Sequence, residues 1–371
     1  MSPKFIDLVA ILAAGEAAHA GWNVYASNPL DPLNRPHVYG PWWLVTGSVG
    51  LVRADAWWLG LVLVGLFLAV AIVVLAPRNA RAALGAVLLL VSTPTLLAME
   101  RGNNDLVVFL FLVAAVWFAT RTNRFAVAVS GGLMVVASAL KLYPFAALPA
   151  LAVRPGSRRM VLWTLFSFSA LLGLFVLPSL DVYWRVITIA PSPQTVFAHG
   201  AKLAYYILQQ LPQQRVWVLT GGLSVVIAGF GFGWRWRRVF WSMLPVTGFT
   251  SGCYVAGALA WGFCYVTTTS FPYRMILLLL PARFWLQGRP GEETPWARRW
   301  QCGLTVLICW APALKSFFLD RNPGGKFYIT SPKTWMAIGA EQGLVLVVAS
   351  SLAVVVVGWA WRRLSKATDE C

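Results

Sequence analysis

Long apolar runs separated by short basic breaks dominate this sequence. Clear runs cover residues 57–77, 82–98, 105–120, 125–140, 160–177, 216–234, 239–260, 300–318 and 342–361. Their lengths approach the roughly 20 residues that an α-helix needs to cross a bilayer. The runs are apolar on all sides, whereas a surface helix of a soluble protein carries a polar face. The pattern therefore predicts an all-α protein that crosses a membrane several times.

Two further segments indicate interrupted spans. Residues 143–153 carry a proline at their second position, and residues 266–287 contain Phe271-Pro272-Tyr273-Arg274 ahead of an apolar run. Interrupted helices occur in membranes where the freed backbone groups face protein or water, so these segments predict a cavity. Together with the clear runs they predict about 10–11 transmembrane helices. A composition of 58% hydrophobic and 12% charged residues agrees with this class.

The basic residues predict the orientation of the chain. They cluster at alternate breaks, which contain Arg78 and Arg81; Arg121 and Arg124; Arg154, Arg158 and Arg159; Arg235, Arg237 and Arg238; Arg298 and Arg299; and Arg362, Arg363 and Lys366. Such breaks are cytoplasmic by the positive-inside rule. The other breaks are then extracytoplasmic, namely residues 1–56, 100–105, 178–215 and 319–341. We therefore expect a protein of the cell (inner) membrane with its active site on the extracytoplasmic side.

We expect one transmembrane domain over residues 1–371. It would consist of an extracytoplasmic segment with interfacial helices at 1–56, a helical bundle at 57–361 and a cytoplasmic tail at 362–371. Residues 1–18 lack the basic start and the long apolar core of a signal peptide. A chain that begins outside needs a helix to carry it there, so we expect a further transmembrane helix upstream of residue 1. The alternative is that residues 1–53 cross together with later helices.

The composition argues against nucleic acid and metal as partners. The formal net charge of +17 lies mostly in the breaks predicted to be cytoplasmic, and no basic soluble surface with interleaved aromatic residues is apparent. The cysteines show no metal-ligand spacing. They are Cys253, Cys264, Cys302, Cys309 and Cys371. The histidines are scattered, and we expect no metal site and no cofactor. They are His19, His37 and His199.

Four short motifs follow one another in a recognisable order. They are Asp7-Leu8 with Gly15, Gly21, Asn23 and Tyr25; Val38-Tyr39-Gly40-Pro41; Asn103-Asn104; and Ala139-Leu140-Lys141-Leu142-Tyr143-Pro144. This order and spacing resembles the C superfamily of polyprenol-phosphate-sugar-dependent glycosyltransferases, and within it family 87, the α-mannosyltransferase-like group. Leu8 stands where the family has Phe, and Gly40-Pro41 where it has Pro-Pro. The resemblance implies transfer of a sugar from a polyprenyl-phosphate co-substrate to a lipid or glycan acceptor, and mannose is the expected sugar.

Asp7 is the predicted catalytic residue. An inverting transfer needs one carboxylate that takes the proton of the acceptor hydroxyl, whereas the leaving lipid phosphate needs no acid. The resemblance implies that Asp7 has this role, at the boundary of water and lipid. The alternative is a solvated aspartate at a frayed chain end.

Cations are expected where the donor phosphate binds. Arg101, Lys141 and Arg274 lie at the predicted outer ends of spans, where charge is costly and therefore often functional. The alternative for each is an anchor whose charged end reaches the interface. Further contacts to donor or acceptor are expected from Tyr25, Tyr39, Asn103, Asn104, Tyr143, His199 and Tyr273.

Some alternatives remain open from the sequence. Glu100 and Asp105 flank the Arg101-Gly102-Asn103-Asn104 turn, which would suit a solvated loop with a helix cap at Asn104. A transporter or flippase for a lipid-linked or polar solute would also show broken helices and intramembrane charges. Against a transporter stand the lack of a visible inverted repeat and the concentration of polar candidates on one side. A membrane-bound polymerase or ligase of surface polysaccharide would share the donor.

Overall fold

The computed structural model describes residues 4–154, 156, 158–190, 215–267, 272–287, 295–317 and 332–365. These residues form α-helices and 3-10 helices, and no strand occurs among them. The chain divides into two compact units, one formed by Met1–Val74 with Leu96–Pro191 and the other by Leu75–Thr95 with Ser192–Cys371.

Helices account for most of the described chain. The first part contains α1 Ile6–His19, α2 Val45–Ser48, α3 Ala56–Leu75, α4 Ala80–Leu90, α5 Thr93–Arg101, α6 Asn104–Ala119, α7 Arg124–Leu140, α8 Arg158–Val176 and α9 Leu180–Ile189. The second part contains α10 Arg215–Arg235, α11 Arg237–Met243, α12 Phe249–Thr267, α13 Leu279–Leu286, α14 Pro295–Ser316 and α15 Pro332–Ser365. The 3-10 helices are Pro41–Leu44, Arg53–Asp55, Tyr143–Val153, Leu177–Ser179 and Pro272–Leu278.

Several of these helices are long and apolar enough to cross a membrane. By length and composition they are Arg53–Leu75, Arg159–Ile189, Phe249–Thr267 and Met336–Ser365, and α4 with α5 form a fifth if a pair bent by 50° counts as one span. This confirms the predicted all-α polytopic membrane protein. The predicted 10–11 spans also include shorter apolar helices, such as the 16 residues of α6 and the 17 residues of α7.

Two predicted boundaries were wrong. The predicted span 239–260 is interrupted, because α11 ends at Met243 and α12 begins at Phe249 after Gly248 with φ +101°. Residues 178–215 were expected to form an outer loop, yet Leu180–Ile189 continues the helical path of α8 after one 3-10 turn. Pro178 does not stop the helix because a proline at a helix start loses no hydrogen bond.

The segment 143–153 forms a short helical element, as predicted. It is a 3-10 helix of 11 residues with Pro149 inside. Most of its residues are buried, so the backbone groups freed by the proline lie within protein. The element follows α7 directly and places Lys141 and Tyr143 on either side of the break between the two helices.

Helix α1 is a core element of the first unit. Ile11, Leu12 and Ala13 are almost fully buried. The backbones of α1 and α2 touch: a Cβ on Gly47 would lie 2.0 Å from the carbonyl oxygen of Gly15, and one on Gly15 would lie 2.7 Å from the Gly47 nitrogen. Since no side chain larger than hydrogen fits this crossing, the two glycines fix the distance between the helices.

Candidate functional site

The beginning of α1 packs against the turn that joins α5 to α6. The Phe5 backbone N–H donates to the Glu100 carbonyl over 3.0 Å. Gly102 has φ +56°, a left-handed conformation that glycine adopts without strain, and a Cβ there would lie 3.1 Å from the Phe5 Cβ. The tight turn therefore lets residues 101 and 103 face the first turn of α1.

Asp7 is held by two side chains from this turn. Arg101 donates from Nε to Asp7 Oδ2 over 2.8 Å and from Nη2 to Oδ1 over 2.6 Å, and Asn103 Nδ2 donates to Oδ2 over 2.6 Å. The Asp7 side chain is 5% exposed and that of Arg101 31%. Asp7 is thus a buried carboxylate in a bidentate, charge-assisted pair, not an aspartate in solvent at a chain end.

A second carboxylate lies at the start of α6. Lys141 Nζ donates to Asp105 Oδ1 over 2.5 Å and to Asn104 Oδ1 over 2.8 Å, and the Tyr143 hydroxyl donates to Asp105 Oδ1 over 2.7 Å. Asp105 is fully buried. The alternative of a solvated loop was wrong here. The helix cap is Asn103 rather than Asn104, because the Asn103 side chain accepts from the Asp105 backbone N–H.

Aromatic residues surround Lys141. Its Nζ lies 5.6 Å from the ring centroids of both Tyr39 and Tyr143, within the range of a cation–π contact. The Tyr25 hydroxyl donates to the Tyr39 carbonyl over 3.4 Å. The His37 ring lies between Tyr25 and Tyr39, with centroids 5.4 and 5.6 Å away. Burial lowers the pKa of His37 to about 4, so its imidazole is neutral at neutral pH.

Two hydrogen bonds hold the segment before α2 and the helix α9 on the end of α7. Trp43 Nε1 donates to the Leu140 carbonyl over 3.1 Å, and the Tyr183 hydroxyl donates to the Ala139 carbonyl over 2.5 Å. A Cβ on Gly40 would lie 2.5 Å from that same Ala139 oxygen. The Val38-Tyr39-Gly40-Pro41 motif is therefore in direct contact with the motif that contains Lys141.

These residues form one cluster with balanced charge, which we call the Asp7–Asp105 cluster. It consists of Asp7, Arg101, Asn103, Asn104, Asp105, Lys141 and Tyr143. Two carboxylates pair with two cations, so a phosphate that reaches either cation must share it with a carboxylate. A guanidinium has five N–H donors, of which the contacts with Asp7 use two.

Two of the other predicted residues belong to the second unit. Tyr273 and Arg274 are partly buried in the 3-10 helix Pro272–Leu278 of the second unit. Their predicted contact with the donor stays a prediction. His199 lies outside the described residues.

Asp105, His37 and Tyr183 were not among the predicted site residues. A buried ion pair between Lys315 and Glu341 was not predicted either; it joins α14 to α15 in the second unit, with both side chains 2% exposed. Lys315 lies within the predicted span 300–318, and a charged residue there is itself a signal of function.

Among the described residues, no group of three or more histidine, cysteine, aspartate or glutamate side chains is arranged to hold a metal ion. Neither protein-family models, nor curated proteins, nor solved structures gave a match to this chain.

Proposed function

We propose that the protein is an integral-membrane glycosyltransferase. It moves a sugar, which we expect to be mannose, from a polyprenyl-phosphate donor to a lipid or glycan acceptor. One observation carries this proposal: three motifs that are far apart in the sequence meet in the Asp7–Asp105 cluster. Asp7 contacts Arg101 and Asn103, and Lys141 contacts Asp105. These are the motifs on which the resemblance to family 87 rests.

Asp7 acts as the general base in this proposal. The acceptor oxygen forms a bond to the anomeric carbon, the bond from that carbon to the phosphate oxygen breaks, and the proton of the acceptor hydroxyl passes to Asp7. The lipid phosphate leaves with its electron pair and needs no acid. A carboxylate has about four lone-pair positions. In Asp7, three of these positions accept hydrogen bonds, two at Oδ2 and one at Oδ1. Oδ1 therefore retains a position for the acceptor hydroxyl.

Arg101 and Lys141 bind the donor phosphate in this proposal. Arg101 is the more accessible of the two, with 31% of its side chain exposed against 11% for Lys141. A phosphate between them would make charge-assisted hydrogen bonds to both. It would also draw Arg101 partly away from Asp7, which leaves a carboxylate oxygen open to accept a hydrogen bond from the acceptor hydroxyl.

We place the site on the extracytoplasmic side of the cell membrane and the C-terminus in the cytoplasm, because the basic breaks alternate. Cysteine labelling in intact cells tests this orientation. Leu33→Cys, at an exposed position, should react with a membrane-impermeant reagent, and Thr122→Cys should react only after permeabilisation. The reverse pattern would move the site to the cytoplasmic side.

A transporter for a lipid-linked or polar solute is the second candidate. The observation in its favour is the buried Lys315–Glu341 pair, since buried charges in membrane helices often mark a solute or proton pathway. A transporter moves its solute without breaking a covalent bond. The two functions therefore differ in their products.

The test uses the purified protein in liposomes that contain a lipid extract of the source membrane as the acceptor, with polyprenyl-phosphate mannose, arabinose or glucose added one at a time. The proposal expects consumption of one donor with release of an equal amount of polyprenyl phosphate. Movement of an intact donor across the bilayer, with none consumed, would support the transporter instead. The same liposomes without protein are the control.

A further inference from the structure

The two carboxylates of the cluster differ in their hydrogen bonding. Both oxygens of Asp7 accept hydrogen bonds. In Asp105, Oδ1 accepts from Lys141 and from Tyr143, whereas Oδ2 is buried without a hydrogen-bond partner among the described residues. A buried carboxylate oxygen without a partner loses its hydration and gains nothing in return, so it calls for an explanation.

Asn104 has a matching feature. Its Oδ1 accepts from Lys141 Nζ over 2.8 Å, and its Nδ2 is buried without a hydrogen-bond partner in the described part of the chain. The side chains of Asn104 and Asp105 thus converge on the same ammonium group. Each of them leaves one atom unsatisfied, a donor on Asn104 and an acceptor on Asp105.

The chemistry of these two atoms limits the ligand. An anion would be repelled by the Asp105 carboxylate, and a cation would be repelled by Lys141 and by the Asn104 Nδ2–H group. A hydroxyl group satisfies both atoms, because it donates one hydrogen bond and accepts others. A sugar and a water molecule can both supply such a hydroxyl.

We propose that Asp105 and Asn104 form a hydroxyl-binding subsite that recognises a hydroxyl of the donor sugar. This inference rests on the proposed glycosyl transfer and extends it. Lys141 supports a sugar rather than water: it contacts both subsite residues and is also a proposed phosphate ligand. In a polyprenyl-phosphate sugar, the sugar ring is bonded directly to the phosphate, so a single lysine beside both groups fits the donor.

The test compares the affinity for polyprenyl-phosphate mannose with that for polyprenyl phosphate alone, in lipid nanodiscs. The readout is the ratio of the two affinities, which cancels any effect of a substitution on the phosphate. Wild type should prefer the mannose-bearing lipid. Asp105→Asn and Asn104→Leu should each lower the ratio by about 10- to 100-fold, the loss expected for one hydrogen bond to a charged or buried group.

A control variant separates this role from a structural one. Asp31→Asn replaces another buried aspartate, which pairs with Arg35 outside the cluster, and should leave the ratio unchanged. Asn104→Leu provides the test on its own if Asp105→Asn does not fold.

Failure of the subsite and failure of the proposed function give different results. A wild-type ratio near one, or a wild-type ratio kept by both Asp105→Asn and Asn104→Leu, would overturn the subsite and assign the hydroxyl to water. A clear wild-type preference that both variants lose, without turnover of any donor, would support the subsite. That combination would contradict the proposed glycosyl transfer and would not contradict the subsite.

Discussion

Removing Arg101 should destabilise the fold more than removing Asp7, although the two side chains form one ion pair. Arg101→Met leaves the Asp7 carboxylate, which is 5% exposed, with the hydrogen bond from Asn103. Breaking a buried pair on one side in this way should cost about 3–5 kcal/mol of unfolding free energy. Asp7→Asn leaves a guanidinium that is 31% exposed and can turn to water, so its cost should be about 1–2 kcal/mol. The double variant should lose about 1–3 kcal/mol less unfolding free energy than the two single variants lose together.

Denaturant unfolding in a mild detergent, followed by tryptophan fluorescence, measures these differences. The exposed pair between Arg53 and Glu16, with 42% and 29% of the side chains exposed, is the matched control, and Arg53→Met should cost less than about 1 kcal/mol. An equal or larger cost for Asp7→Asn than for Arg101→Met would refute the reasoning from burial. Additive costs in the double variant would show that the pair contributes no coupling.

Three further predictions concern other parts of the fold. Gly47→Ala should destabilise the protein by about 1–3 kcal/mol in the same assay, because its Cβ would overlap the Gly15 backbone, whereas Gly65→Ala has open space and should be neutral or stabilising. The pKa of His37, about 4 against 6.5 when unfolded, means that the unfolded chain binds more protons between these values. Thermal stability should therefore fall as the pH is lowered from 6.5 to 4, and His37→Gln should show a smaller fall. Breaking the buried pair by Glu341→Gln should cost about 3–5 kcal/mol, and a second change, Lys315→Met, should recover part of it; a double variant less stable than the single one would contradict this.

The sequence predicted the elements of the fold better than their ends. Apolar runs predict helices because a membrane leaves few other ways to satisfy backbone groups. The same runs do not show where a helix breaks. The break before Phe249 depends on a glycine with positive φ, and the continuation past Pro178 depends on a proline at a helix start. Both outcomes are decided by local backbone geometry, to which average hydropathy is insensitive.

Most residues of the Asp7–Asp105 cluster could be identified from the sequence, but Asp105 and the pairings between the side chains could not. Asp7, Arg101 and Lys141 were identified from motifs and from charges in an apolar context. The contact of Asp7 with Arg101 joins residues 94 positions apart and depends on how α1 docks against the turn at Gly102. Asp105 remained open as part of a solvated loop, because charged residues flank the turn from Arg101 to Asn104. Its burial follows from Lys141, which compensates its charge from the end of another helix.

Sugar transfer by wild type, Asp7→Asn and Asp31→Asn with polyprenyl-phosphate mannose tests the central claim most directly. Asp7→Asn keeps the shape of the side chain and loses its basicity, so the rate of donor consumption should fall by about 10²–10⁴-fold with donor affinity close to wild type. Asp31→Asn alters a buried pair outside the cluster. It should keep most of the wild-type rate, provided that it is as stable as Asp7→Asn. Full activity in Asp7→Asn, together with loss in Asp31→Asn, would contradict the assignment of the base and the spacing on which the proposed family rests.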